Sequence, residues 1–420
     1  MANIDYSVVS RQEAVCILPS FERTPLTKDR TEGADFSEQR LLFGTNTSQN
    51  QEEYIQIARV QIPDFGEPSI SRYNPDTGEV GGHGEARTPF KFDIIQKIRH
   101  DGEVNKARYM PQNPNIIATM SSNATAQVFD RSKHPLMPKD NEFIPQIILR
   151  GHSKEGFGLN WSPILEGNLA TASEDCTVCV FDIKGFTQDS RYDMQPIRTF
   201  SHHTATVNDV EYHPTLPQII GTVSDDLTLQ ILDTRSPEKD KPLMKQEAHA
   251  DAVNCLAFHP KWQPILATGS ADNTVALWDM RNLKTKLHSI EAHRASVIKI
   301  EWSPHNAAFL GSASYDRRIN FLDLSKAGEE QTPEEAEDGP PELYDGQACN
   351  YVEPCTDKLC RLFMHGGFTN RISDFSWNPH DPWVIFAAAE DNQIQIFKPA
   401  KTITQADVLK GKVQMREIEE

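Results

Sequence analysis

The chain has 420 residues, 38% of them hydrophobic, and its 60 acidic against 42 basic side chains give a formal net charge of −18. Such a charge repels nucleic-acid phosphates and favours basic partners, which argues against direct nucleic-acid binding. No apolar run approaches the roughly 20 residues that cross a bilayer, and the first residues lack the basic-then-apolar order of a secretory signal. We therefore predict a protein of the nucleus and cytoplasm without a membrane segment.

Cysteine usage gives no sign of a disulfide framework. The number of cysteines is odd and they are scattered along the chain, as expected for free thiols in a reducing compartment. Cys176 and Cys179 are predicted on one strand, where positions three apart point to opposite faces. Cys349, Cys355 and Cys360 lack a second paired knuckle, so no metal site is predicted.

Residues 1–35 form an atypical N-terminal segment, with two prolines and no sustained 3.6-residue apolar period, so no long helix is predicted there. The next stretch, RLLFGTNTSQNQEEYIQIARVQIP and then KFDIIQKI, supplies strand material. From residue 100 onward a repeat begins.

The repeat is a His followed 30 positions later by an Asp. Its copies are His100 to Asp130, His152 to Asp182, His203 to Asp233, His249 to Asp279 and His293 to Asp323, with a degenerate sixth from Phe368 to Lys398. Most copies start about 44 to 52 residues apart, close to the length of a four-stranded propeller blade.

Each copy contains short apolar or alternating runs separated by turn formers, which predict β-strands. The copy HADAVNCLAFHPKWQPILATGSADNTVALWD ends in Trp278 and Asp279, the pair that gives WD repeats their name. Six copies and the upstream strands predict an all-β, seven-bladed WD40 β-propeller over residues 36–398, followed by a C-terminal tail, 399–420.

Ser and Asp recur inside the copies, 21 and 23 positions after the His, which raises the question of a Ser-His-Asp hydrolase. Four copies of one active site in a single chain make little sense, whereas one buried hydrogen-bond chain per blade would satisfy polar groups. We therefore interpret these residues as a structural network: His152, Ser173, Asp175, His203, Ser224, Asp226, His249, Ser270, Asp272, Trp278, His293, Ser314 and Asp316. No nucleotide-binding or metalloprotease motif is present, so neither catalysis nor a cofactor is predicted.

Longer stretches are more specific than the repeat itself. GEVNKARYMPQNPNIIAT, GHSKEGFGLNWSP, ATGSADNTVALWDMRNLK, EEAEDGPPEL and HGGFTNRISDFSWNPHDPWVI together resemble the retinoblastoma-binding, Msi-like histone-chaperone WD40 family, in its type B histone acetyltransferase branch. The resemblance runs from about Arg40 to Lys398. It implies a non-catalytic scaffold that holds histone H4, with H3, for a separate catalytic subunit, and that is shared with other chromatin complexes.

The resemblance also implies a histone H4 groove. In the family an acidic loop, here 329–342, helps to clamp the first helix of histone H4. Glu337 and Asp338 would contact Arg or Lys side chains, and Leu362, Phe363 and Met364 would form the apolar side of the groove.

A second implied surface is the face where the blade-entry loops meet, which would receive the basic tail of histone H3. By match to the family its residues are Glu103, Asn105, Glu155, Phe157, Asp225, Asn254, Arg371 and Glu390. Asn208 and Ser296 depart from the animal pattern, which has acidic residues there, so weaker binding is expected at this face.

Two segments interrupt the family pattern. Family members begin with a long helix that forms one wall of the histone H4 groove. Residues 1–35 do not match it, so either this wall is missing or the start of the sequence is assigned wrongly. Residues 344–361, YDGQACNYVEPCTDKLCR, stand where the family runs straight on, and an intron translated in frame is favoured over a functional insertion.

A cullin-ring ubiquitin ligase receptor is the alternative function. Asp233-Thr234-Arg235 and Trp278-Asp279-Met280-Arg281 resemble the short W-D-x-R signature that such propellers use to dock their adaptor.

Overall fold

The short apolar runs of each repeat form antiparallel strands. A computed structural model describes residues 15–16, 21–23, 36–45, 52–63, 73–74, 79–80, 91–138, 143–184, 192–236, 241–326, 361–391 and 393–399. In this part of the chain the only helical turns are two 3₁₀ turns, Arg131–Lys133 and Leu324–Lys326. No helix found there is long and apolar enough to cross a membrane.

The first three blades come from the N-terminal half of the chain. Blade 1 contains β1 (Val15–Cys16), β2 (Phe21–Arg23), β3 (Phe36–Thr45), β4 (Glu53–Pro63) and β7 (Lys91–His100), with the hairpin β5 (Tyr73–Asn74) and β6 (Glu79–Val80) between β4 and β7. Blade 2 contains β8 (Val104–Met110), β9 (Asn113–Ser121), β10 (Thr125–Asp130) and β11 (Ile147–Arg150), joined by β15 (Tyr192–Met194). Blade 3 contains β12 (Gly156–Trp161), β13 (Asn168–Ser173), β14 (Val178–Asp182) and β16 (Arg198–Phe200).

The remaining blades follow in sequence order. Blade 4 contains β17 (Val207–Tyr212), β18 (Ile219–Ser224), β19 (Thr228–Asp233) and β20 (Met244–Glu247). Blade 5 contains β21 (Val253–Phe258), β22 (Ile265–Ser270), β23 (Val275–Asp279) and β24 (His288–Ile290). Blade 6 contains β25 (Val297–Trp302), β26 (Phe309–Ser314), β27 (Ile319–Asp323) and β28 (Arg361–His365), and blade 7 contains β29 (Ile372–Trp377), β30 (Ile385–Ala389) and β31 (Ile394–Phe397). The predicted all-β, seven-bladed propeller is confirmed.

The second strand of a blade is buried on both faces because neighbouring blades cover it from either side. All six residues of β18 and all five of β30 are buried. Such strands read as continuous apolar or small-residue runs, as strands covered on both faces do.

Tryptophans near the ends of the innermost strands tie successive blades together. The indole N–H of Trp302 donates to the Ala257 carbonyl of the preceding blade at 3.0 Å. Trp377 bonds in the same way to Glu301 at 3.0 Å. Each bond satisfies a buried polar group while the ring fills the gap between two sheets.

Blades 1 and 7 close the ring. Leu41, Phe43 and Val60 of blade 1 share one apolar cluster with Val384 and Phe386 of blade 7. A buried side-chain bond crosses the same seam, from Asn378 Nδ2 to Gln39 Oε1 at 2.6 Å.

The N-terminal segment contributes strands in its described part. Val15–Cys16 and Phe21–Arg23 both pair with β3 in antiparallel fashion, and no helix occurs among these residues. Cys176, which was predicted on the same strand as Cys179, lies instead in the turn before β14, with φ 66°.

Candidate functional site

The eight residues assigned to the channel face lie at one end of the blades. Each directly precedes an innermost strand, is the second residue of one, or directly follows a second strand. Antiparallel pairing puts these positions side by side, as Val207 pairs with Ser224 and Ile372 with Ala389. The innermost strands line the central channel. The eight residues therefore share one mouth of that channel.

Four carboxylates, Glu103, Glu155, Asp225 and Glu390, belong to this end, which we call the acidic mouth. Asp225 and Glu390 are exposed, and Glu103 and Glu155 are half-buried. Carboxylates grouped around one axis focus negative potential and speed the capture of cationic peptides.

An aromatic and a basic side chain flank the acidic mouth. Phe157 is 38% exposed. The Arg371 guanidinium lies 5.1 Å from the ring centre of Tyr315, itself exposed, and the Arg371 carbonyl accepts a bond from the Glu390 N–H at 2.9 Å. The mouth therefore has apolar contact area at blade 3 and hydrogen-bonding groups at blade 7.

Three asparagines of the mouth join neighbouring blades. Each donates its amide N–H to the carbonyl of the residue that begins the next innermost strand. The bonds are Asn105 to Gly156 at 3.0 Å, Asn208 to Val253 at 2.9 Å and Asn254 to Val297 at 2.8 Å. Asn208 also donates to Asp225 at 2.7 Å, so this departure from the family pattern positions a carboxylate of the mouth. Sequence reasoning did not foresee these blade-to-blade bonds.

Below the mouth, charged side chains project into a channel cavity of about 530 Å³. Lys106 of blade 2 reaches Asp209 of blade 4 at 2.6 Å, and Arg108 lies 3.6 Å from Asp374 of blade 7. Burial alone would raise the pKa of Asp209, but Lys106 outweighs it and holds this pKa below its ordinary value.

Two further carboxyls of the channel have raised pKa values. Burial raises the pKa of Glu211 to about 8 and that of Glu301 to about 7. Glu211 accepts a bond from the Phe258 N–H at 2.8 Å, and Glu301 accepts one from the Ser376 hydroxyl at 3.1 Å. Near neutral pH a large fraction of these two carboxyls is protonated.

The predicted His and Asp pairs meet in buried hydrogen-bond chains. In blade 5, His249 Nδ1 lies 3.0 Å from Asp272, and its Nε2 lies 2.8 Å from the Thr268 hydroxyl. The Trp278 indole donates to the same hydroxyl at 2.8 Å. The equivalent sets are His152 with Asp175 and Thr171, His203 with Asp226 and Thr222, and His293 with Asp316 and Ser312.

In blade 3 the pair of His152 and Asp175 also includes a contact with Cys179. Burial opposes a charge on His152, but hydrogen bonds with Asp175 and Cys179 outweigh it and raise the pKa of His152 to about 9. The same hydrogen bond helps to hold the pKa of Asp175 far below its usual range.

The repeated serines do not lie beside the histidine nitrogen, where the nucleophile of a Ser-His-Asp hydrolase would be. The Ser270 hydroxyl donates to the Ala252 carbonyl at 2.9 Å, which fixes the loop before β21. Its equivalents Ser173, Ser224 and Ser314 bond to carbonyls of the matching loops. The hydroxyl beside each histidine belongs instead to the residue 19 positions after it, Thr171, Thr222, Thr268 or Ser312. Sequence reasoning missed this residue, although its constant offset from the histidine was a usable signal.

Strand geometry divides the residues assigned to the apolar side of the histone H4 groove. Leu362, Phe363 and Met364 are consecutive on β28, whose pairing with β27 is irregular at Leu362, between the partners Arg361 and Phe363. Phe363 stacks on Phe321, with ring centres 5.9 Å apart, and packs against the core of blades 6 and 7. At most Leu362 and Met364 share a face for a partner. Glu337 and Asp338 lie outside the described residues, as do the acidic loop 329–342 and residues 344–360.

The arginines of the W-D-x-R-like motifs fold back on their own loops. Arg235 bonds to both carboxylate oxygens of Asp233, and Arg281 to both of Asp279. Both arginine side chains are well exposed, at 69% and 73%.

Comparison with known proteins points to one family. Residues 5–64 match a family model whose description names the histone-binding protein RBBP4 and a component of the CAF1 complex. The match begins inside residues 1–35, so part of that segment carries a family pattern that the periodicity argument did not detect. Residues 194–233, 240–279, 284–323 and 357–398 match the WD domain, G-beta repeat, and the last of these includes the degenerate copy ending at Lys398.

Full-length relatives agree. The chain is 50% identical over 378 residues to histone acetyltransferase type B subunit 2 of Aspergillus oryzae, covering 89% of this chain and 82% of that protein. It is 52% identical to the Aspergillus fumigatus protein of the same name and 46% identical to that of Schizosaccharomyces pombe, each with the same coverage. None of these names points to a ubiquitin ligase, so the receptor alternative gains no support. With a confirmed propeller and relatives of this identity along most of its length, the chain belongs to the histone acetyltransferase type B subunit 2 family of WD40 proteins.

Proposed function

We propose that this protein is the non-catalytic, histone-binding subunit of a type B histone acetyltransferase, presenting histone H4, with H3, to a separate catalytic subunit. We further propose that it acts in both nucleus and cytoplasm and serves other chromatin assembly and modification complexes. The observation that carries the proposal is the acidic mouth.

The geometry suits a cationic, extended peptide. Asp225 and Glu390 offer exposed carboxylates for Lys and Arg side chains, and Phe157 offers apolar contact beside them. The mouth is held in shape by the blade-to-blade bonds of Asn105, Asn208 and Asn254, so little ordering is needed on binding.

A charge reversal tests this surface. Asp225→Lys should weaken binding of a histone H3 tail peptide by about tenfold, with a smaller dependence on salt, because it replaces attraction at the mouth by repulsion. Fluorescence anisotropy of a labelled peptide measures the change. Glu166→Lys is the matched control, since Glu166 is an exposed carboxylate near the opposite end of blade 3. Equal losses in the two variants would show a general charge effect and remove the role of the mouth.

Histone H4 presentation has its own test. The wild-type protein should co-purify histone H4 and a catalytic acetyltransferase subunit from cell extract, and Glu337→Lys with Asp338→Lys should lose histone H4. A wild-type sample that brings down neither partner would refute the subunit assignment while leaving the propeller untouched.

A further inference from the structure

The outer edge of a blade accepts an added strand in this molecule. In blade 2, β15 lies parallel to the outermost strand β11, pairing Ile147 with Tyr192 and Leu149 with Met194. An ion pair from Arg150 Nε to Asp193 Oδ2, at 2.9 Å, fastens the added strand. An acidic residue on an extended segment and a basic residue on the blade edge thus meet there.

Blade 5 presents a comparable edge without a fifth strand among the described residues. Its outermost strand β24 pairs with β23 on one side and ends the sheet. Main-chain groups on the outer side of such a strand are a template for another strand.

The approach to β24 is basic and aliphatic. Residues 280–290, MRNLKTKLHSI, contain no carboxylate. Arg281 is engaged by Asp279, while Lys284 and Lys286 are exposed and Leu287, directly before the strand, is 55% exposed. The Lys286 ammonium lies 5.7 Å from the Trp278 ring centre, which restricts this flexible side chain near the edge.

Blade 4 extends the same surface. Leu243 holds the position equivalent to Leu287, since both donate their N–H to the preceding strand of their blade at 2.8 Å, and Leu243 is 56% exposed. Lys241 and Lys245 are exposed on either side of it. In a chain of net charge −18, residues 241–247 and 280–291 of these two neighbouring blades expose four lysines, with Arg281 paired to Asp279, against two carboxylates, Glu247 and Glu291, next to large aliphatic side chains.

We propose that the outer edge of blade 5 binds an extended segment of a partner protein by strand addition, a segment in which acidic side chains alternate with aliphatic ones. Main-chain bonds to β24 supply affinity, Leu287 receives an aliphatic side chain, and Lys284 and Lys286 select carboxylates. This edge is separate from the acidic mouth and from β28, so the proposal is independent of the histone-binding function.

Lysines on a sheet edge also serve to prevent strand pairing, and the experiment separates the two roles. A short fluorescent peptide alternating Glu and Asp with Leu and Val is titrated against the full chain, beside a peptide with Lys in place of the acids. Wild-type protein should bind the acidic peptide at this edge. Any binding of the Lys peptide, which suits the acidic mouth, should not depend on Lys284 and Lys286. K284E/K286E keeps a charged edge but should bind the acidic peptide at least tenfold more weakly, about 1.4 kcal/mol or more. K133E/K184E, which reverses two exposed lysines on blades 2 and 3, should bind like wild type.

A second measurement on the wild-type protein needs no variant. Hydrogen exchange of the His288–Ile290 amides should slow when the acidic peptide is present. Unchanged exchange, or equal binding by K284E/K286E and wild type, would overturn the proposal. The proposal would also be overturned if the protein bound a single-stranded DNA oligonucleotide and not the acidic peptide, and if K284E/K286E lost the binding of DNA. That result would identify a phosphate-binding surface.

Discussion

At the scale of single residues, His100 has a direct consequence for acid stability. Its ring is 2% exposed, with Nδ1 donating to the Gly102 carbonyl at 2.7 Å and Nε2 lying 2.9 Å from the Thr119 hydroxyl. Burial lowers the pKa of His100 to about 4. The unfolded chain takes up a proton near pH 6.5, well before the folded one does, so stability falls as the pH drops from about 6.5 towards 4.

We expect His100 to account for a loss of about 2 kcal/mol in the free energy of unfolding between about pH 7.5 and pH 5. His100→Asn, which does not titrate, should be less stable at the higher pH and lose less on acidification. Urea unfolding of both proteins at the two pH values measures this difference. Parallel losses in wild type and variant would assign the acid sensitivity to other groups.

The buried polar chains show what spacing predicts and what it leaves out. Constant offsets identified His249 and Asp272 as partners because both recur in blade after blade. The same offsets grouped Ser270 with them, and its hydroxyl does accept a bond from the Asp272 N–H at 3.1 Å, but the hydroxyl beside the histidine is that of Thr268. A constant offset in the sequence shows that residues occupy equivalent positions in each repeat. It does not show which of their atoms form hydrogen bonds, because this depends on the direction of each side chain.

At the scale of strands and turns, the tight turn between the second and third strands has a backbone cost. Ala124, Cys176, Leu227, Asn273 and Arg317 all adopt φ between 66° and 70° in this turn. Asn tolerates this left-handed conformation better than other residues with a side chain, apart from Asp. Among these five turns, only that of blade 5 has Asn at this position, Asn273.

Arg317→Asn should therefore raise the stability of the protein by about 0.5–1 kcal/mol, because Arg317 is exposed and occupies the position that Asn273 fills in blade 5. The midpoint of urea unfolding measures the gain. Asn273→Arg is the reciprocal control and should lower the midpoint. A lower midpoint for Arg317→Asn would mean that the arginine side chain contributes more than the turn geometry costs.

Strand positions also set the limits of the site prediction. The match to the family assigned the channel-face residues, and all eight lie near strand ends at one end of the blades; their binding of a tail stays a prediction. The three residues of β28 do not all face one groove, because Phe363 packs against the core of blades 6 and 7. A site can be predicted from consecutive residues only if their secondary structure is known. Residues 344–361, which precede Leu362, lack the repeat pattern that would have predicted a strand.

At the scale of the whole molecule, stability depends on the seam between blades 1 and 7. Gln39 and Asn378 are both fully buried there, and the bond between them joins residues 339 positions apart. Gln39 also donates to Asp381. No repeat offset predicts these contacts, nor the Lys106–Asp209 pair across the channel, because they depend on how the ring closes.

Gln39→Ala should lower the free energy of unfolding by about 1–3 kcal/mol, since it leaves the buried amide of Asn378 without this acceptor. Gln61→Ala is the control: Gln61 bonds at 3.4 Å to Glu38 within blade 1, so its loss should cost less than about 0.5 kcal/mol. Urea unfolding monitored by tryptophan fluorescence compares the two. Similar losses would show that the seam bond contributes no more than a bond inside one blade.

The charged side chains of the channel differ between two levels along its axis. Below the carboxylates of the mouth, the next charged layer contains the ammonium groups of Lys106 and Lys299 as well as Asp209 and Asp374. Because Asp209 is paired with Lys106 and Asp374 lies beside Arg108, this layer does not continue the negative potential of the mouth. If a cationic tail binds at the mouth as proposed, this attraction would end above the paired charges, so the first residues of the tail would be held at the mouth and the rest would stay outside, within reach of whatever is bound at the rim.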